Sequence, residues 1–107
     1  MVLSGKQKRH LRSLIAVQPA IIHIGKGGLN PNLIQQINDA LVARELIKIK
    51  ILPNSDLELK ETAQVICTEV TADLVQIIGF NIVLFKENPK LTKSLVPSLK
   101  AMSRVSR

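Results

Sequence analysis

Apolar residues recur along the first part of the chain at spacings that distinguish helices from strands. Leu11, Leu14 and Ile15 lie three and four residues apart, which predicts an amphipathic helix from residue 4 to residue 18, where a proline follows. The β-branched run 20–24 predicts a first strand after it. Basic side chains occupy the outer side of this helix, so it presents an apolar seam and a positive stripe.

A second helix and a second strand are predicted next. Asn30 is a good N-cap and Pro31 suits the first helical position, so a helix should begin there. Residues 46–51 alternate apolar residues with lysine, which predicts a strand with one buried face. Lys48 and Lys50 lie on its other face, which is left for water or a ligand.

The third helix and the last two strands complete the predicted domain. Ser55 and Glu58 match a capping box, which predicts a third helix with an acidic exposed side. Residues 73–78 and 82–86 are predicted as a β-hairpin joined at Gly79. The order α-β-α-β-α-β-β predicts an α/β fold with helices two and three on one sheet face and the first helix on the other.

The end of the chain has a weaker pattern. Residues 89–107 contain two prolines and five basic residues, with only a weak apolar pattern around Leu95, Leu99 and Met102. We interpret them as a basic tail, either mobile or containing a short helix after Pro97, and residues 1–88 as one domain.

Charge indicates the class of partner. The chain has 15 basic and 8 acidic residues, a net charge of +7, which favours a polyanion, with nucleic acid preferred to a membrane surface. Cys67 is the one cysteine and cannot form an internal disulfide, so we expect a reducing, cytoplasmic compartment. The apolar runs are too short for a membrane-spanning helix, and we expect no membrane partner.

A glycine-rich loop lies between the first strand and the second helix. Gly25, Lys26, Gly27 and Gly28, hereafter the GKGG loop, precede a helix N-terminus, where unpaired amides and the helix dipole favour an anion. Lys26 adds a positive charge. The loop is therefore predicted to clamp phosphate, and the alternative is a turn whose glycines only supply positive φ angles.

The sequence supports a nucleotide-binding enzyme less well than a protein that binds a nucleic-acid backbone. The loop does not match a Walker A motif, and the dinucleotide fingerprint has Asn30 where its third glycine should be. His10 and His23 lie in different elements without metal-ligand or triad spacing. Cys67 falls on an apolar helix face and is interpreted as a small core residue. We predict a non-enzymatic protein with no cofactor and no metal.

The predicted RNA-binding residues belong to the first helix, the GKGG loop, and the second helix and strand. They are Lys6, Lys8, Arg9, Arg12, Gly25, Lys26, Gly27, Gly28, Asn30, Arg44, Lys48 and Lys50. Lys8 projects toward the apolar side of its helix. Arg44 and Lys48 could instead form ion pairs with Glu45 or Asp39, as surface charges commonly do.

Four blocks of sequence, read in order, resemble one known family. Residues 3–12, 24–29 and 43–50, together with 75–79 and 82–85, are similar to the CRM domain in its stand-alone, bacterial YhbY-like form. The resemblance extends from about residue 2 to residue 88. Family members often carry a basic residue after the hairpin glycine, where this chain has Phe80. That side chain either packs under the tail, which we favour, or stacks on a base.

The resemblance implies a fold and a function. It implies a four-stranded mixed sheet flanked by helices, similar to the C-terminal domain of bacterial translation initiation factor three, and a GxxG loop used as in KH domains. It also implies binding to ribosomal RNA of large-subunit precursors during ribosome assembly, and we expect the protein to act as a monomer. Group II intron splicing, an RNA chaperone function and a basic module that docks an acidic protein are the alternatives.

Overall fold

The computed structural model describes residues 2–53, 55 and 57–105, and within them helices and strands follow the predicted order. The elements are α1 Gly5–Ile15, β1 Ile22–Ile24, α2 Pro31–Arg44, β2 Leu46–Ile51, α3 Leu59–Val70, β3 Asp73–Ile78, β4 Asn81–Phe85 and α4 Val96–Val105. The sheet has the strand order β1-β2-β4-β3. The pair β1 and β2 is parallel and the other pairs are antiparallel, so the predicted four-stranded mixed sheet is confirmed.

One face of the sheet forms the larger core with α2 and α3. Ile47, Ile49 and Ile51 of β2 are at most 2% exposed, and they pack with Ile37 of α2 and Ile66 of α3. Burying an isoleucine side chain stabilises a fold by about 1.5–3 kcal/mol. The alternation of apolar and basic residues in β2 thus determines which face meets these two helices.

The opposite face is covered at one end only. Leu11 of α1, Leu99 of α4 and Phe85 of β4 are all 0% exposed and form a second core there. His23 and Lys50, farther along the same face, are exposed. Helices α1 and α4 therefore leave the other end of this sheet face open to solvent.

The segment interpreted as a basic tail contains α4, which begins at Val96 and so includes Pro97 rather than following it. Val96 and Leu99 are buried against α1 and the sheet. The side-chain amide of Gln7 donates a hydrogen bond of 2.8 Å to the carbonyl oxygen of Leu99. The last two residues of the tail, 106 and 107, lie outside the described residues.

Glu45 holds the chain that leads to α4. It is 0% exposed and has a φ of +64° at the end of α2. Its carboxylate accepts hydrogen bonds from the Asn88 amide at 2.7 Å, the Ser94 hydroxyl at 2.7 Å and the Leu95 amide at 2.6 Å. The interpretation of Glu45 as a surface partner for Arg44 or Lys48 was wrong, because its carboxylate faces the tail.

The ends of helices α1 and α3 differ from their predictions. A capping box of Ser4 and Gln7 begins α1, which the sequence interpretation missed, and the helix ends at Ile15 rather than at residue 18. The predicted capping box for α3 was wrong, because its N-cap is Glu58, whose carboxylate accepts from the amides of residues 60 and 61. These two backbone hydrogen bonds hold the pKa of Glu58 below its usual value.

The edge strands and the hairpin also have local irregularities. Strand β1 has only three residues, fewer than the predicted run 20–24. Strand β3 contains a β-bulge, since its pairing with β4 shifts between Leu74 and Gln76. Gly79 turns the hairpin with a φ of +57°, and β4 begins at Asn81, one residue earlier than predicted.

The described part of the chain contains neither a membrane-spanning helix nor a metal-binding cluster. Over residues 2–53, 55 and 57–105, no helix combines the length and apolar character needed to cross a bilayer. Within the same described residues, no group of three or more His, Cys, Asp or Glu side chains is arranged to hold a metal ion.

Candidate nucleic-acid interface

The GKGG loop is a tight turn at the end of β1. The Gly28 amide donates to the Gly25 carbonyl oxygen at 3.0 Å, and Gly28 has a φ of +63°. Lys26 is exposed in the middle of this turn. The Leu52 amide donates to the Ile24 carbonyl oxygen at 2.8 Å, which fixes the start of the loop against the end of β2.

Fewer amides are free for an anion than the sequence suggested. The Gly28 amide is used inside the turn, Pro31 has no amide hydrogen, and the Leu33 amide donates to the Asn30 side chain at 2.9 Å. A β-carbon at Gly27 would meet no atom within 4 Å, so a phosphate can approach the Gly27 backbone closely. Phosphate binding at this loop therefore depends on the Lys26 charge and on access to Gly27.

The open end of the sheet continues from the loop. His23, Lys50 and Asn81 are aligned across β1, β2 and β4. Asn81 pairs in turn with Ile78 of β3. Residues directly opposite one another in neighbouring strands point to the same face, so these four side chains form one row, hereafter the open sheet row. His23 also lines the hollow beside Gly25 and Gly27, so the row and the loop share a surface.

A cleft connects α1 with this row. Arg9 and Arg12 of α1 line it together with Lys48, Gln76 and Asn81 of the sheet. The Lys48 ammonium donates to the Gln18 carbonyl oxygen at 2.8 Å, so Lys48 contacts the chain after α1 rather than a carboxylate. The cleft thereby places the positive stripe of α1 beside the open sheet row.

Other predicted positions lie at the margin of this surface. Lys6 is exposed on α1. Lys8 lies near Asp73. Burial raises the pKa of the Asp73 carboxyl, whereas the positive charge of Lys8 lowers it. Arg44 precedes β2, whereas the GKGG loop adjoins the other end of that strand, about 17 Å away at the usual rise per residue. The structure does not bring Arg44 to the loop.

Sequence reasoning missed Gln76 and Asn81 as parts of the cleft. The β-bulge in β3 changes the side-chain alternation there, so a regular period of two could not place Gln76. Asn81 was interpreted as a turn residue, although it belongs to β4. His23, which is aligned with Lys50 in the sheet, was not among the predicted RNA-binding residues either.

Negative charge is concentrated on the other side of the molecule. Glu58, Glu61 and Glu69 are exposed on or beside α3, as the sequence predicted. Helix α3 packs on the sheet face opposite α1. The two faces therefore differ in charge, and a polyanion is directed toward α1 and the open sheet row.

Cys67 is compatible with its interpretation as a small core residue. It is partly buried and packs against the core between the sheet and α3. Desolvation raises the pKa of the Cys67 thiol to about 11, with the charge of Asp73 acting in the same direction. Near neutral pH this side chain is a thiol, whereas a nucleophilic cysteine reacts as the thiolate.

The last two glycines of the loop, Gly27 and Gly28, should respond differently to alanine. Gly28→Ala places a side chain at a φ of +63°, and we expect the free energy of unfolding to fall by about 1 kcal/mol. Gly27→Ala meets open space and should change it by less than about 0.5 kcal/mol. Urea unfolding followed by far-ultraviolet circular dichroism measures both. Equal losses in the two variants would contradict the turn geometry.

The structure is thus an α/β module with a mixed sheet, helices on both faces, a tight GxxG turn and a basic surface. The sequence profile of the CRS1 / YhbY (CRM) domain matches residues 3–86. The chain belongs to this family, as the resemblance implied.

Named relatives agree with this assignment. The Bacillus subtilis protein named "Probable RNA-binding protein YqeI" is 46% identical over 87 residues, which cover 81% of this chain and 91% of the relative. A Haemophilus influenzae protein named "RNA-binding protein" is 35% identical over 85 residues, covering 78% and 85%. The solution structure of Staphylococcus aureus SAV1595 is 47% identical, with a TM-score of 0.72, and the match covers 86% of this chain and 95% of that protein.

Proposed function

We propose that this chain binds structured RNA, in particular ribosomal RNA of large-subunit precursors, and acts in ribosome assembly without catalysing a reaction. The observation that supports it best is the basic surface formed by α1, the cleft at Lys48, the open sheet row and the GKGG loop. The names of the relatives favour RNA as the polyanion. We further propose that the protein acts as a cytoplasmic monomer with residues 1–88 as its RNA-binding domain.

The proposed contacts are mainly electrostatic. Lysine and arginine that neutralise phosphates release counterions, so affinity depends steeply on salt and little on base sequence. We assign this role to Lys6, Arg9, Arg12, Lys26, Lys48 and Lys50, with smaller contributions from Lys8 and Arg44 at the margins. Gly25, Gly27, Gly28 and Asn30 would shape the turn against which the backbone lies.

Lys26→Ala tests the loop directly. We expect it to weaken binding to a transcribed domain of large-subunit ribosomal RNA and to reduce the slope of log affinity against log salt by roughly one unit. Lys60→Ala on α3 is the matched control, since it removes an exposed lysine from the acidic side of the molecule. Fluorescence anisotropy titrations at several salt concentrations measure both variants. An unchanged slope for Lys26→Ala would exclude the loop from the phosphate-binding surface.

The ribosomal assignment needs a separate experiment. Crosslinking the protein to RNA in cells, followed by sequencing, should recover large-subunit ribosomal RNA, with an enrichment for unprocessed ends. Recovery of introns would favour the splicing alternative. Recovery of messenger RNA alone would overturn the role in ribosome assembly while leaving RNA binding intact.

One observation supports a second candidate, the basic module that docks an acidic protein. A groove of about 820 Å³ lies between α1, the start of β2 and the chain before α4. Its lining includes apolar Leu14, Ile21 and Leu91, and the basic Arg44 and Lys93. Binding of an acidic protein at this groove would survive Lys26→Ala, so the same variant separates the two candidates.

A further inference from the structure

The hairpin between β3 and β4 carries an aromatic side chain in an unusual setting. The chain has two aromatic residues, Phe80 and Phe85. Phe85 is 0% exposed in the second core, whereas Phe80 is 54% exposed. Helix α4 packs beside Phe85, at the opposite end of β4 from Phe80. The interpretation that Phe80 packs under the tail was therefore wrong, and its ring is available for a partner.

Phe80 lies at the same end of the sheet as the GKGG loop. The Ile51 amide donates to the Phe80 carbonyl oxygen at 2.8 Å, and the next amide, that of Leu52, donates to the Ile24 carbonyl oxygen at 2.8 Å. The loop starts directly after Ile24. Two strand spacings separate β1 from β4, so the hairpin tip and the loop are about 10 Å apart. A GxxG loop of the KH type clamps four nucleotides, and this distance lies within such a footprint.

The surface between the loop and the hairpin offers contacts for a nucleotide. Lys50 is exposed there and supplies a charge for a phosphate. Asn81, which is paired with Lys50 in the sheet register, supplies an amide for a base edge. Ile78, which precedes the turn, is also 54% exposed, so the hairpin tip is apolar in an otherwise polar region. An exposed ring about 10 Å from a backbone-binding loop is within reach of a base that has left a helix.

We propose that Phe80 stacks on an unpaired base of RNA whose backbone is bound by the GKGG loop and Lys50. This proposal rests on the proposed function, because it assumes that RNA is the polyanion. Stacking requires a base that is free of its neighbours, so the protein distinguishes RNA with a bulge or loop from continuous duplex. Phe80 is then a specificity-determining residue, while the lysines supply affinity that does not depend on pairing.

The test compares two RNAs that differ by one unpaired nucleotide. A stem with a single-nucleotide bulge and the same stem without it are titrated against the full chain by fluorescence anisotropy at fixed salt. Phe80→Ala should weaken binding to the bulged stem about tenfold and leave the continuous stem unchanged. Its salt slope should stay unchanged, because stacking releases no counterions. Phe80→Tyr keeps a ring and should retain the preference, and Val65→Ala, 45% exposed on α3, is the control.

A bulge that lacks its base tests whether the preference for the bulged stem comes from contact with that base. Removing the base should weaken binding of the unsubstituted chain about tenfold and should have no further effect on Phe80→Ala. An equal effect of Phe80→Ala on both stems, or none on either, overturns stacking. If Lys26→Ala still flattens the salt slope in that case, RNA binding stands and only the role of Phe80 fails. If neither stem binds the unsubstituted chain, the stacking proposal fails, and the titration with ribosomal RNA decides the proposed function separately.

Discussion

Replacing Glu45 with alanine should lower the free energy of unfolding by about 3 kcal/mol, because three hydrogen-bond donors lose a charged acceptor inside the protein. These donors are the amides of Asn88 and Leu95 and the hydroxyl of Ser94. For a domain of this size, such a loss lowers the melting temperature by about 15 °C. Far-ultraviolet circular dichroism is the suitable measurement, since the chain has no tryptophan or tyrosine.

Two further variants define the cause of that loss. Glu45→Gln keeps a polar side chain of the same size and should cost less than Glu45→Ala. Glu61→Ala removes an exposed carboxylate from α3 and should change stability by less than about 0.5 kcal/mol. Because Glu45 holds the chain before α4, trypsin should cleave Glu45→Ala faster at Lys93 and Lys100. A loss as small as that of Glu61→Ala would contradict the role assigned to this carboxylate.

Removing three charges from α1 should have the largest effect on RNA binding. The combined Lys6→Ala, Arg9→Ala and Arg12→Ala variant should flatten the salt slope by about 2.7 units and weaken binding on the order of 10²–10³-fold at 0.1 M salt. Alanine favours helix, so α1 should remain folded. The measurement is the same anisotropy titration, performed from low to high salt.

The tail supplies a matched control for this experiment. Lys90, Lys93 and Lys100 are exposed, and replacing them with alanine changes the net charge by the same amount. If the RNA contacts are localised at α1, the tail variant should retain most of the affinity and most of the salt slope. Equal losses in the two triple variants would show that total charge, rather than a defined surface, determines binding.

The elements that could be predicted are those specified by neighbouring residues. Asn30 and Pro31 mark the beginning of α2, and the alternation in residues 46–51 gives the exact bounds of β2. Helix α3 shows the limit of such signals. Ser55 and Glu58 have the spacing of a capping box, but Glu58 alone accepts from the first amides of the helix.

Contacts between distant parts of the chain could not be predicted. Glu45 is a residue type that is almost never fully buried without partners, and its partners lie 43 to 50 residues later. The weak apolar pattern of the tail did not reveal that Leu99 would complete a core with α1, because that core is assembled from five separate elements.

The candidate interface likewise has parts that local sequence predicts and parts that depend on the tertiary structure. The GKGG loop and the basic stripe of α1 are local patterns and were visible in the sequence. The open sheet row depends on the register that aligns His23, Lys50 and Asn81, and the exposure of Phe80 depends on where α4 packs. Local sequence patterns specify neither the strand register nor the place where α4 packs.

The β-bulge in β3 has a consequence for how copies of the chain meet. A regular edge strand exposes unpaired amides and carbonyls that can template a strand from another molecule. Here one edge is β3, whose bulge interrupts the even spacing of those groups, and the other is β1, which has only three residues. Neither edge offers a long, flat template, so the sheet resists pairing with the sheet of a second molecule.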